Sequence, residues 1–122
     1  MALRSASWNH IEAWLRGEAR RVLSDRISAK ADQTGRLPIR ISVRDTRSRW
    51  GSCSSAGALS FSWRLILAPP EVLDYVVAHE MAHLTHPGHG SEFWLTVARL
   101  TDQMDAGRAW LRRHGRELFR YG

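Results

Sequence analysis

Apolar positions along the chain recur with a helical period in some stretches and alternate strictly in others. Over residues 8–31, Ile11, Trp14, Leu15, Val22, Leu23 and Ile27 return at near-helical spacing, while arginines, Glu12 and Glu18 fill the other side. The pattern predicts an amphipathic helix that ends at Gln33-Thr34-Gly35. Ile39-Arg40-Ile41-Ser42-Val43 then alternates with period two and predicts a half-buried strand. A polar, basic connection over Arg44–Arg49 leads to a second strand through Trp50–Ser54. After a turn at Ser55-Ala56-Gly57, Leu59-Ser60-Phe61-Ser62-Trp63 alternates again and is expected to pair back as a hairpin. Leu65–Leu67 extends the apolar run to Pro69-Pro70. There proline, Glu71 and Asp74 suit the first turn of a helix.

That helix, over about residues 70–85, is apolar nearly all round. Val72, Val76, His79 and His83 line one face, Leu73, Val77 and Leu84 another, and Ala78 and Ala82 thin a third. So little polar surface predicts the buried centre of the molecule. Beyond Pro87–Gly90, Ser91 is the expected cap of a third helix carrying Phe93, Trp94, Val97, Ala98 and Leu100. A last helical stretch bears Ala109, Trp110, Leu111, Leu118 and Phe119, with an interruption expected at Gly115.

Composition narrows the class without deciding it. The chain has 122 residues, 43% hydrophobic and 25% charged, which suits one globular domain over residues 1–122. It contains no apolar run of the ~18–20 residues that a membrane span needs. Its start shows no apolar stretch followed by small residues, so no secretory signal is expected. Cys53 is the only cysteine, which excludes an intramolecular disulfide and points to the reducing cytoplasm. The formal charge is +6, carried by scattered arginines and the single lysine, Lys30. Such a field would attract nucleic acid, nucleotides or acidic peptides, although surface charge is commonly no more than solvated polarity.

The candidate chemistry lies in His79-Glu80-Met81-Ala82-His83-Leu84-Thr85-His86-Pro87-Gly88-His89. His79 and His83, four apart, project from one helix face and can hold one metal ion. Glu80, about 100° round the helix, can lean toward a water on that metal. Pro87 and Gly88 allow the chain to turn back and offer His89 as a third nitrogen. His86 competes for that role, but proline disfavours helical backbone at the residue before it. Three protein ligands would leave a tetrahedral Zn²⁺ one open position, as catalytic sites do. Glu80 would then serve as general base. Imidazole ligands also suit nickel, copper and iron. Cys53 could in principle ligate a metal but, as a strand cysteine, is expected to be a small core residue, and His10 and His114 exposed bystanders. Trp50, beside Arg47 and Arg49, fits core packing, or else a stacking surface for a base or substrate ring.

Arg49-Trp50-Gly51-Ser52-Cys53, Phe61-Ser62-Trp63-Arg64-Leu65, Ala68-Pro69-Pro70, the histidine helix and His89-Gly90-Ser91-Glu92-Phe93-Trp94 resemble the YgjP-like metallopeptidase family. This is a zincin group related to SprT-like proteases. The match runs from about residue 36 to 95, and more loosely through the first helix and Arg108–Leu111. Family members commonly carry Asn before the third histidine and Ser after it, where Gly88 and Gly90 stand here. The resemblance implies a zincin-like α+β fold, Zn²⁺ held by His79, His83 and His89, and Glu80 as catalytic acid/base.

Together these readings predict a small antiparallel three-stranded sheet packed with a buried zinc-binding helix and flanking helices. The expected function is zinc-dependent cleavage of peptides or proteins, with an extended substrate pairing along the Leu59–Trp63 strand as an edge. Two other classes stay open at this point. One is a zinc-dependent hydrolase of nucleotide phosphoanhydrides, with arginines clamping phosphate, although no Gly-rich phosphate loop is present. The other is a DNA-associated binding module with weak protease activity.

Overall fold

The computed structural model describes residues 6–120. The first five residues, with the beginning of the stretch read for a secretory signal, lie outside that range. Helix α1 (Ala6–Thr34) is followed by strands β1 (Arg40–Arg44), β2 (Gly51–Cys53) and β3 (Ala58–Ser62). A 3₁₀ turn (Trp63–Leu67) leads into α2 (Pro70–Ala82), α3 (Ser91–Leu100) and α4 (Met104–Leu118). The class is α+β, as predicted. None of the described helices is long and apolar enough to cross a membrane.

The sheet differs from expectation in direction and order. It is mixed: β3 lies in the centre, parallel to β1 (Ile41↔Leu59, Val43↔Phe61) and antiparallel to β2 (Ser52↔Ser60). Alternation assigns each residue a face but says nothing of which strand lies beside which, and here β3 inserts between its two predecessors. Consequently the Leu59–Trp63 segment is no edge, since both its sides are paired, and β2 is the rim strand on the site's side. The predicted hairpin between β2 and β3 forms, with Ser54 N donating to the Ala58 carbonyl at 2.9 Å.

Helix α2 is the buried axis, as its composition predicts: Val72 through Ala78 are all buried and pack against α1, α3, α4 and β2. Helix α1 buries Ala19, Leu23, Ile27 and Ala31, an unbroken i, i+4 stripe, and leaves Ile11 and Trp14 exposed. The two small residues allow close approach at the contact, whereas the bulkier N-terminal positions project beyond it. Ile39 is likewise exposed, because β1 begins one residue later. Helix α2 stops at Ala82, three residues early, as its last turn tightens into i→i+3 bonds such as His83 N to the Glu80 carbonyl at 3.1 Å. Gly90 rather than Ser91 caps α3, and Ala98 faces solvent. Helix α4 runs through Gly115 without interruption. That glycine makes room for Trp50, whose indole Cζ2 would stand 3.3 Å from a Cβ there.

Two ion pairs with buried cations tie the elements together. Lys30, on α1, donates to Asp74 of α2 at 2.7 Å and to the Leu100 carbonyl at 2.9 Å. Thr101 adds a 2.6 Å bond to the same carboxylate. Arg64 is fully buried, bridges to Asp45 and donates to the Thr46 carbonyl at 3.2 Å, which pins the β1–β2 connection.

Candidate metal centre

His79 lies in the last turn of α2, His83 caps that helix, and His89 is carried by the loop before α3. One ring nitrogen from each falls within 4.8 Å of the others, and no other metal-competent cluster occurs among the described residues. His83 Nε2 and His89 Nε2 are 3.1 Å apart. Two bonds of ~2.0–2.1 Å at a tetrahedral angle place nitrogens about 3.3 Å apart, so the His83–His89 pair has the spacing of two ligands on one tetrahedral ion. The reversal that brings in His89 needs no left-handed glycine: among the described residues only Gly35 and Gly57 have positive φ.

The rings are oriented from behind. A carbonyl can only accept, so His83 Nδ1 must donate in its 2.9 Å bond to the His86 carbonyl, and the neutral ring then presents the lone pair on Nε2. His86 thus enters through its main chain, and its ring lies outside the three-histidine cluster. His79 Nδ1 stands 3.2 Å from Glu80 Oε2, which orients that ring in the same way. Beneath all three rings lies Phe93, fully buried, stacked on His83 at 4.4 Å and edge-on to His79 and His89 at 5.0 Å each. Trp94 stacks on His89 at 6.1 Å, and the Arg108 guanidinium lies 4.5 Å from the Trp94 ring centroid. Sequence reasoning assigned Phe93 and Trp94 only to a helix face. Their nearness to His89 in the chain was the available signal.

Glu80 is buried and rests against β2. A Cβ at Gly51 would lie 2.9 Å from Glu80 Cγ and 3.3 Å from Oε2. The Arg49–Cys53 stretch is therefore the wall facing the histidines. It borders a cleft of about 590 Å³ lined also by His79, Glu80, His83, His89 and Pro87. Cys53 is half-buried: it packs against the core and lines that wall. Burial, and secondarily the charge of Glu80, push its thiol above its usual value, so it stays protonated at neutral pH. Burial also raises the Tyr75 hydroxyl, against the pull of Arg108, which keeps it a neutral donor. Trp50 is engaged internally, stacked on Phe119 at 4.3 Å, so the packing role holds. His10 and His114 are exposed, as expected, and lie outside the three-histidine cluster.

A family profile described as YgjP-like, metallopeptidase domain, matches residues 3–114 of this geometry's sequence. The chain belongs to the YgjP-like metallopeptidase family. It is therefore a metallopeptidase-type hydrolase domain, with peptide or protein as the substrate class that the family implies. Among solved structures, the crystal structure of the metallopeptidase zymogen of Pyrococcus abyssi abylysin is similar in fold. The TM-score is 0.63 at 20% identity, covering 74% of this chain and 93% of that one. No curated protein matches the chain. For a YgjP-like domain, a metal is implied, and the three histidines are the cluster able to hold it.

Proposed function

We propose that this protein is a zinc-dependent metallopeptidase in which His79, His83 and His89 hold the ion and Glu80 is the general base. The observation that carries this reading is the convergence of three imidazole nitrogens within 4.8 Å beside a buried carboxylate. When bound, zinc supplies a Lewis acid that polarises the scissile carbonyl and acidifies water toward a pKa near 7. The chain's own groups do the rest. The Glu80 carboxylate accepts a proton from the attacking water and returns it to the leaving amine. Gly51 lets the strand wall press against that side chain and hold it in place. The free side of β2, not β3, offers main-chain groups with which an extended peptide pairs beside the histidines.

The cleft's walls favour a peptide over a nucleotide. Among the described arginines only Arg49 lines it, whereas a phosphate clamp needs several converging cations. The test combines metal analysis with cleavage of unfolded casein. Wild type should bind about one zinc per chain and cut. Glu80→Gln should keep the metal and lose about 10²–10⁴-fold in rate, and His83→Ala or His89→Ala should lose the metal. Full activity in Glu80→Gln, or in metal-stripped wild type, sinks the reading. Zinc retained by His89→Ala but lost by His86→Ala would reverse the assignment of the third ligand.

A further inference from the structure

Two cavities meet at His79 and Glu80. The second, of about 260 Å³, shares Arg49, Gly51, His79 and Glu80 with the main cleft and is otherwise walled by Trp50, Tyr75, Val76 and Leu111. Among the described residues, Arg49 is the one lysine or arginine lining either cavity, and Glu80 the one acid. The arginines around it are occupied: Arg47 donates to the Phe119 carbonyl and Arg36 to the Leu84 carbonyl, each at 2.8 Å, and Arg64 pairs with Asp45. Among the described residues, the Arg49 guanidinium has neither a hydrogen bond nor an ion pair; only its main-chain carbonyl is engaged, by Thr46 Oγ1 at 2.8 Å.

Its backbone is nonetheless held on both sides. Next to that 2.8 Å bond, the Trp50 carbonyl accepts from Ser62 N at 2.9 Å and the Trp50 ring stacks on Phe119. The side chain is thus launched from a fixed point toward the junction of two cavities and spends its charge on nothing in the protein. A guanidinium offers five donors in a planar fork that matches a carboxylate.

We infer that Arg49 is a specificity residue that binds a carboxylate of the peptide substrate adjacent to the scissile bond. The inference rests on the peptidase reading above. The carboxylate is either an acidic side chain or the substrate's free C-terminus, and its neighbouring apolar residue enters the Trp50–Leu111 cavity.

Peptides differing only in Glu against Gln beside the cleaved bond, and in a free against an amidated C-terminus, separate the two sources. Binding of each is measured by titration calorimetry on zinc-loaded Glu80→Gln protein, with and without Arg49→Ala, and cleavage is followed with the corresponding proteins retaining Glu80. One of the two pairs should show about 10- to 100-fold tighter binding of the carboxylate form. Arg49→Ala should reduce that ratio to near one, Arg49→Lys should retain part of it, and Arg49→Glu should invert it toward a lysine-bearing peptide. A merely structural role would weaken all peptides alike and leave the ratio unchanged. No carboxylate preference in wild-type background, or a preference that survives Arg49→Ala, overturns the inference. A preference that depends on Arg49 without any cleavage by the Glu80-containing protein leaves Arg49 a carboxylate-binding residue but overturns the peptidase reading and, with it, the placement beside a scissile bond.

Discussion

One missing methyl group, at Gly51, makes room for the carboxylate on which the proposed chemistry depends. A Cβ there would come 2.9 Å from Glu80 Cγ and 3.2 Å from Phe61 Cδ1. Phe61 is fully buried and cannot retreat, so the displacement falls on Glu80. Gly51→Ala should therefore keep its metal yet lose about 10²-fold in kcat/KM, because a shift near 1 Å at a reacting group costs that much. Paired metal analysis and steady-state kinetics check this, and an unimpaired Gly51→Ala would show that Glu80 has slack. The histidines themselves were legible at this scale, since an i, i+4 spacing on a helix dictates a shared face whatever surrounds it. Gly51 was not: a glycine's meaning lies in what comes near it, and Glu80 is far away in the chain.

At the scale of elements, α1, α2 and the end of α3 are joined through one carboxylate. Burial pushes the Asp74 carboxyl up, but bonds from Lys30 and Thr101 and the charges of Lys30 and Arg26 outweigh it and hold it below its usual range. Asp45 behaves alike: partial burial is outweighed chiefly by the hydrogen bond and charge of Arg64. A depressed folded value means that the unfolded chain binds more protons in acid. The stabilisation is full above the unfolded carboxylate value of about 3.9 and is lost as pH falls through the lower folded value. Urea midpoints should thus be flat near neutrality and drop in that acid window, with a shallower drop in Asp74→Asn. Removing the cation leaves a buried charge behind, so Lys30→Met should destabilise by about 3 kcal/mol at neutral pH, the low end of the usual range because Arg26 and Thr101 remain. A Lys30→Met protein as stable as wild type would mean that Arg26 takes over fully. The Asp74 reading from sequence went only as far as a favourable charge in the first helical turn. Its partner, the lone lysine, is an ordinary polar residue until α1 and α2 pack.

For the whole molecule, the histidine cluster is a clasp between α2 and the loop into α3, with Phe93 as its floor. Anything that binds the folded state alone stabilises it by mass action, about 2.7 kcal/mol at a hundred times its dissociation constant. In a chain of this size that raises Tm by on the order of 10 °C. Scanning calorimetry with zinc and with a chelator should show the shift in wild type and in Glu80→Gln, and its loss in His89→Ala. An equal Tm in both conditions would leave the cluster without a resident ion. The same global view explains why the substrate edge was misplaced by sequence reasoning: β3 looked like a rim strand, and only the order β1-β3-β2 puts β2 at the cleft.

Residue periods were enough to establish the helices, the hairpin, the buried character of α2 and the set of histidines able to converge. Each of these follows from fixed backbone rise and rotation over a few residues. Strand direction and neighbour order, the aromatic floor, the Lys30–Asp74 and Arg64–Asp45 pairs and the wall that β2 sets against Glu80 were decided by packing. They join residues separated by tens of positions, and which of the many possible contacts forms depends on how the entire chain closes its core.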